Sequence, residues 1–444
     1  MNTAISRPLA EFATTRLSIP QDARLVASLS MLDWLAVGRA GIDEPVARIT
    51  RALALDEGGA ACAHLFGTHQ CVPARMAALV NGTTSHALDY DDTHFAHIGH
   101  PSVTVIPAAL AVGEAQGQTL AAVAEAALMG MELSVRVGLW LGRGHYQAGF
   151  HMTATAGAFG ATAAAGRLMG LDAGQMGQAF GLVATRAAGL KAQFGTDGKP
   201  YNAGQAAAAG VEVAGLIGAG LTANPGALQG PFGYGASHHG EDNTDAALDG
   251  LGEIWLFESV SHKFHACCHG LHGALEAARD LDIAAPEIAE ITVTTNPRWM
   301  SVCNQAAPDT GLGAKFSYAT VLAMWALGHD TARLDSFSAR ICADPRLIEL
   351  RTRIKVRADD AMPETASLLE VLRRDGARLS ARHDLLAPLS LATREGRVRA
   401  KAVGLIGDDL AQQAWGMLHS GATAGDFAGL LCGSGAGGAH PLRQ

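Results

Sequence analysis

The chain has 444 residues, of which 48% are hydrophobic and 17% charged, and a formal net charge of −9 at pH 7. That length buries a sizeable core and leaves room for two or three domains, and the composition excludes a disordered or solvating chain. The acidic balance argues against nucleic acid as a partner, because such a binder needs a basic surface to displace counterions.

From the N-terminus, MNTAISRPLAEFATTRLSIP lacks a continuous apolar core and carries Glu11 and Arg16, so it does not read as a secretory signal. The expected location is the cytoplasm. Seven cysteines, none in a Cys-x-x-Cys pair, fit reduced thiols in that compartment. Leu25, Leu29, Leu32 and Ala36 recur at helical spacing, with Ser18 and Pro20 as start signals upstream. Further helices are predicted over 103–116, 120–141, 153–169 and 203–216, rich in alanine and glycine that let neighbours approach closely. The apolar run 119–141 is interrupted by Glu125, Glu132 and Arg136, which fits a buried helix and not a membrane span. Residues 218–240 read as a long irregular connection.

After about residue 270 the pattern changes. ITVTT at 291–295 is a β-branched strand stopped by Asn296-Pro297, and 353–357 alternates apolar and charged residues. Residues 367–373, the Asp375-Gly376 turn and 377–381 form a β-hairpin pattern, with helices predicted at 271–281, 316–327 and 344–351. Helix returns over 408–431. The expected fold is mainly α with an α+β part. A large helical-bundle domain spans 1–268 and is completed by 400–444, with a smaller α+β domain inserted at 269–399. A cleft between the two is the expected place for a small-molecule site.

The densest chemistry lies in SHALDYDDTHFAHIGHPS, which holds Asp89, Asp91, Asp92, Thr93, His94, His97 and His100. Carboxylates and imidazoles are the usual general acids and bases and are costly to bury unless paired or used. The competing reading is a capping and loop-solvating cluster. GHYQAGFHMTATAGAFG presents His151 at a helix start, where it either meets an anion or caps the helix. FGTDGKPYNAGQAA presents Lys199 in a Gly-rich loop before another helix, an anion-binding geometry. The chain has six lysines against 27 arginines, and four of the six fall between 191 and 315, either by chance or to place compact ammonium groups in a cleft.

In SHKFHACCHGLHGALEAA, His265 and His269 on a helix would share a face and imitate a zinc site. No HExxH or Cys-x-x-Cys accompanies them, so no metal is assigned. GLGAKFSYATVLAMWALG puts Lys315 and Ser317 at the entrance to an apolar helix, as carboxylate binders or as an ordinary helix start. GSGAGG at 433–438 matches G-x-G-x-x-G but lacks the preceding strand and following helix of a dinucleotide site. No Walker loop and no G-x-S-x-G elbow is present.

Taken in order, from LDWLAVGRAG to WGMLHSGAT, these segments resemble the MmgE/PrpD family, which includes 2-methylcitrate dehydratase, cis-aconitate decarboxylase and iminodisuccinate epimerase. The resemblance implies a large helical domain with a smaller α+β domain, usually a homodimer, a site between the domains, and no cofactor in the decarboxylase and epimerase members. The family's D-[FY]-D-D-[TS] and H-P-S element implies that Asp89, Thr93 and His100 line the pocket. The histidine opening the next helix implies His151, and the Lys-Pro step implies Lys199. Where the decarboxylases carry a histidine after Phe-Pro-Ala, this chain reads Phe264-His265-Ala266-Cys267-Cys268. The resemblance leaves the register here open between Cys268 and its neighbours His265 and His269, and Lys315 and Ser317 join these as substrate-binding candidates.

The expected function is a cofactor-independent lyase acting on a small di- or tricarboxylate by dehydration or decarboxylation. Removing a proton next to a carboxylate requires cations and donors where charge develops. In this reading Lys199 and His100 hold carboxylates, His151 exchanges the proton, and Asp89 orients a histidine. An epimerase or isomerase of an iminodisuccinate-like dicarboxylate is the nearest rival. A metal-dependent hydrolase or hydratase and a non-catalytic metabolite-binding homologue stand behind it. No nucleic-acid or membrane partner is expected.

Overall fold

A computed structural model describes residues 5–281 and 283–433, mostly helical with a small mixed sheet. The chain divides into two units, Met1–His262 with Arg394–Gln444, and Lys263–Thr393. The first boundary therefore falls ahead of the expected residue 268, and most of the SHKFHACCHGLHG segment belongs to the second unit. The return at Arg394 lies within the continuous helix Leu391–Ile406, whose Val398, Lys401 and Ala402 are buried. Apart from Gly433, the GSGAGG match lies outside the described residues.

In the first unit Pro20 precedes the helix Gln21–Ala40, in which Leu29, Leu32 and Trp34 are buried. Thr119 caps the helix Leu120–Gln147 by accepting from the Ala122 amide at 3.2 Å, and Gly142, at φ 72°, breaks its regular course. Its buried charges, Glu132 and Arg136, are paired inside the protein. Arg136 contacts Glu132 at 2.7 Å and donates to the carbonyls of Ala247, Asp249 and Ile254. A buried guanidinium satisfied in this way does not leave an uncompensated charge. Among the described residues no single helix is long and apolar enough to cross a membrane.

Three predicted helices differ, that over 408–431 being divided into Asp408–Leu418, Ala424–Ala428 and a 3₁₀ turn at Gly429–Leu431. The 153–169 segment is split into Met152–Thr155 and Gly157–Leu168. The helix expected from 203 begins at Gly198 and runs to Gly218, placing Lys199 in its first turn and not in a loop. Pro200 suggests a break in the sequence, but a proline is tolerated in the first turn, where its missing N–H has no intrahelical partner. This helix packs against Ala74–His86 through glycines: an added methyl at Gly82 would sit 3.0 Å from Gly204 Cα. A short antiparallel pair, β1 (Ala63–His64) and β2 (Cys71–Val72), completes the unit's named strands.

The second unit holds a four-stranded sheet of β3 (Ile288–Thr295), β4 (Ile354–Ala358), β5 (Ala366–Arg373) and β6 (Arg378–Asp384), in the order β4-β3-β5-β6. β3 runs parallel to β4 and antiparallel to β5, and β5 pairs with β6 across the turn in which Gly376 has φ 90°. Ile291, Val293, Leu369 and Val371 are buried, so β3 and β5 supply the hydrophobic centre. The helices His272–Arg279, Tyr318–Ala326 and Pro345–Arg351 belong to the same unit.

Candidate active site

Helix Ala74–His86 ends on a buried histidine, and the chain then turns through Asp89, whose φ of 50° lies in the left-handed region that Asp tolerates. The DYDD stretch that follows connects to helix Ser102–Ala115 with Tyr90, Asp91, Asp92, His97 and His100 all buried. Asp91 is the hub. Its Oδ2 lies 2.7 Å from His100 Nδ1, and its Oδ1 lies 3.0 Å from His86 Nδ1. Burial alone would raise the Asp91 carboxyl, but the His100 and His86 rings outweigh it and hold it well below the usual carboxylate range. The two rings stand edge to face at 4.6 Å.

Asp89 faces a different partner. Its Oδ1 is 2.9 Å from Lys199 Nζ and 3.5 Å from His100 Nε2. Asp91 thus contacts both His100 and His86, while Asp89 sits closest to Lys199 and also reaches His100. Asp89 and Asp91 are two residues apart, a spacing that on an extended strand would put both on one face, and the left-handed turn at Asp89 breaks that alternation.

His151 precedes the helix Met152–Thr155, but its side chain does not cap it. Its ring stacks on His86 at 6.1 Å and meets Phe194 edge-on at 5.0 Å, and its Nδ1 lies 3.3 Å from Asn202 Nδ2. Burial pushes this imidazole well below its ordinary value, and His86, Lys199 and His100 push the same way against Asp89. The His100 amide donates to Thr153 Oγ1 at 3.1 Å, tying the loop to the segment that carries His151. The first unit therefore brings together Asp89, His100, His151 and Lys199. Sequence reasoning passed over His86, Asn202 and Phe194, and quoted Asp91 without choosing it. The one available signal for His86 was its place in the quoted SHALDYDD string. Thr93 is held by its backbone in a bridge with Ser261, with N–H to carbonyl distances of 2.9 and 2.7 Å.

Asp92 points away from this group. Its Oδ2 accepts from Ser102 at 2.5 Å and Ser30 at 2.8 Å, and burial pushes its carboxyl up to about 7. Ser30 also lies 3.0 Å from His262 Nε2, and nearby Lys401 pairs with Asp33 at 2.6 Å.

The remaining candidates lie in the second unit. His265 and His269 do not share a helical face, because the regular helix starts only at His272. His265 Nδ1 lies 2.7 Å from Thr331 Oγ1 and its Nε2 3.0 Å from Glu276, so this ring is held by a hydroxyl and a carboxylate. His269 opens a 3₁₀ turn with its ring 4.7 Å from His272. The Cys268 amide donates to the Lys315 carbonyl at 2.9 Å. Ser317 is fully buried and caps the helix Tyr318–Ala326 by accepting from the Thr320 amide, so its hydroxyl serves the helix start. Lys315 stands at the end of the short Gly311–Ala314 helix, 5.8 Å from the Phe337 ring.

The MmgE/PrpD N-terminal domain matches residues 7–247 and the MmgE/PrpD C-terminal domain matches residues 265–403. The chain belongs to the MmgE/PrpD family. This MmgE/PrpD protein is 29% identical over 310 residues to the cis-aconitate decarboxylase of Aspergillus terreus, a match covering 66% of the chain and 63% of that relative. The chain thus spans a little under two thirds of that relative's length. Cis-aconitate decarboxylases of Mus musculus and Homo sapiens are 27% and 25% identical, over 74% and 76% of the chain and 72% and 74% of their own lengths.

The ligand atoms of His86, Asp89, Asp91 and His100 lie within 4.8 Å of one another and could hold a metal ion. Lys199 at 2.9 Å from Asp89 sets a fixed positive charge against the same carboxylate. An ammonium there competes with a divalent cation and favours an anionic ligand.

Proposed function

We propose that this MmgE/PrpD protein is a lyase that removes carbon dioxide from a small unsaturated tricarboxylate of the cis-aconitate type. The observation that carries the reading is the convergence of Lys199, His100, His86 and His151 around two carboxylates within one unit. The relatives named cis-aconitate decarboxylase support the choice of substrate class.

In this reading the substrate's carboxylates are drawn to Lys199 and to the imidazole N–H groups, and Asp91 fixes the ring orientation of His86 and His100. Loss of carbon dioxide leaves an electron pair on carbon, delocalised into a remaining carboxylate. An imidazole N–H, that of His151, supplies the proton that neutralises it, and solvent restores that proton. His151 is kept neutral by burial while the site holds no anion. A bound polycarboxylate raises its basicity by charge proximity, so proton uptake is coupled to binding. An epimerase would use the same groups to return the proton to the opposite face of carbon.

The test is proton NMR of the chelator-treated protein in deuterated buffer with cis-aconitate, 2-methylcitrate and iminodisuccinate offered separately. Release of carbon dioxide from cis-aconitate, with one deuterium fixed in the product, is the expected result. Turnover confined to one of the other two, or deuterium exchange with inversion and no fragmentation, would overturn the decarboxylase reading.

A further inference from the structure

A second cluster of metal-binding side chains lies in the first unit among residues that the proposed reaction does not use. β1 and β2 pair with Ala63 opposite Val72 and His64 opposite Cys71. Strand alternation puts Ala63 and Val72 on one face, and both are buried. It puts His64 and Cys71 on the other, and Cys62, just ahead of β1, has its Sγ 3.7 Å from the Val72 carbonyl. Glu114, near the end of helix Ser102–Ala115, reaches this face: its Oε2 accepts from the His64 amide at 2.9 Å and its Oε1 contacts His64 Nδ1. One ligand atom each from His64, Cys71 and Glu114 lie within 4.8 Å of one another.

The chain end brings a further thiol. The Leu431 carbonyl accepts from the Gly67 amide at 3.0 Å, which docks the segment carrying Cys432 on the β1–β2 connection. Cys432 and Cys62 are each close enough to Cys71 to interact electrostatically with it, and Arg39 faces Cys432. An imidazole, a carboxylate and a thiolate, with one further thiol within reach, make the N/O/S donor set that suits tetrahedral zinc. With metal–nitrogen bonds of about 2.0 Å and metal–sulfur bonds of about 2.3 Å, tetrahedral ligand atoms sit roughly 3.3–3.8 Å apart, so the direct His64–Glu114 contact opens and the thiol moves in to admit the ion.

We propose that His64, Cys71 and Glu114 bind a zinc-class divalent ion, with Cys62 or Cys432 as fourth ligand. Binding replaces the thiol proton of Cys71 with the metal, the proton leaving to solvent. If Cys432 also binds as thiolate, the ligand set carries one more negative charge than the ion neutralises, and the Arg39 guanidinium balances it. The site is distinct from the His86, Asp89, Asp91 and His100 group, which contains no sulfur.

That difference makes the test specific. The full-length protein, chelator-treated and fully reduced, is titrated with Co(II) and then challenged with Zn(II). The expected result is one equivalent of bound Co(II) showing thiolate-to-cobalt charge-transfer absorption, abolished by Zn(II). Cys71→Ser should cut that absorption by about half or more, and His64→Ala should weaken Co(II) binding about 100-fold or more. Glu114→Gln, which keeps the side-chain volume, serves where either of these fails to fold. Co(II) binding without a sulfur band, or a band unchanged in all three variants, would overturn the site.

Discussion

Asp91 lies 2.7 Å from His100 Nδ1 and holds His86 on its other side at 3.0 Å, so one fully buried carboxylate fixes two imidazoles. Replacing it with asparagine keeps the shape but removes the charge that both ring N–H groups face. Asp91→Asn should lower cis-aconitate turnover roughly 100-fold, in the range expected for loss of a properly held acid or base. Circular dichroism should change little. Unaltered turnover in the folded variant would remove Asp91 from the machinery.

Lys199 is expected to act through charge on the bound substrate. A hydrogen bond to a charged group is worth about 1.5–3 kcal/mol, which corresponds to roughly ten- to hundredfold in affinity. Lys199→Met should therefore raise KM for the polycarboxylate by that factor, with a smaller effect on kcat. The wild-type KM should also climb with ionic strength and that of the variant much less. Equal salt dependence in the two would speak against the assignment.

Stability should depend on pH through the buried histidines. Burial pushes His94 and His145 down to about 4 and His97 down to about 3, against an ordinary value of 6.5. Between those values the unfolded chain binds more protons than the folded one. Stability is thus full above about pH 6.5 and falls as the pH drops, by roughly 1.4 kcal/mol per pH unit for each such ring. Thermal melts from about pH 8 downward should show the Tm falling below pH 6.5, and a flat profile would refute the burial of these rings as neutral groups.

Asp92 contributes with the opposite sign. Its carboxyl is raised to about 7, so the folded protein holds a proton that the unfolded chain releases near 3.8. Its contribution is full below that ordinary value and is lost as the pH climbs to about 7. Asp92→Asn removes this loss while keeping an oxygen for Ser30 and Ser102. The difference in Tm between variant and wild type should move in the variant's favour from pH 4 to about 7. A constant difference would mean that Asp92 does not take up a proton in the folded state.

The close packing of the helices bearing His86 and Lys199 offers a fourth kind of test. A methyl at Gly204 would overlap the Leu79 carbonyl and the Thr83 hydroxyl. Gly204→Ala should cost about 1–3 kcal/mol by overpacking and lower activity more than stability alone explains, because the helices must part. Gly404→Ala, with open space around the added methyl, is the control: activity should stay unchanged and stability should hold or rise by up to about 1 kcal/mol, as for a glycine replaced within a helix.

Much of the fold was legible in the sequence because its signals are local. Pro20 and the Asp375-Gly376 turn act within a few residues, and the β-branched ITVTT run and the apolar helical spacing need no distant partner to be recognised. The acid–base segment was legible for the same reason, as a density of carboxylates and imidazoles that burial must pair or use. Partnership was not local. Lys199 finds Asp89 and His151 stacks on His86 across long stretches of chain, and those meetings depend on glycine-mediated helix contact. Tertiary packing alone decided that Asp91 holds both imidazoles while Asp89 meets Lys199, that Ser317 caps a helix, and that His265 turns to Glu276. The sequence by itself determined which side chains are present for proton chemistry; the fold decided which of them face each other, because distance and direction between remote residues are set by packing.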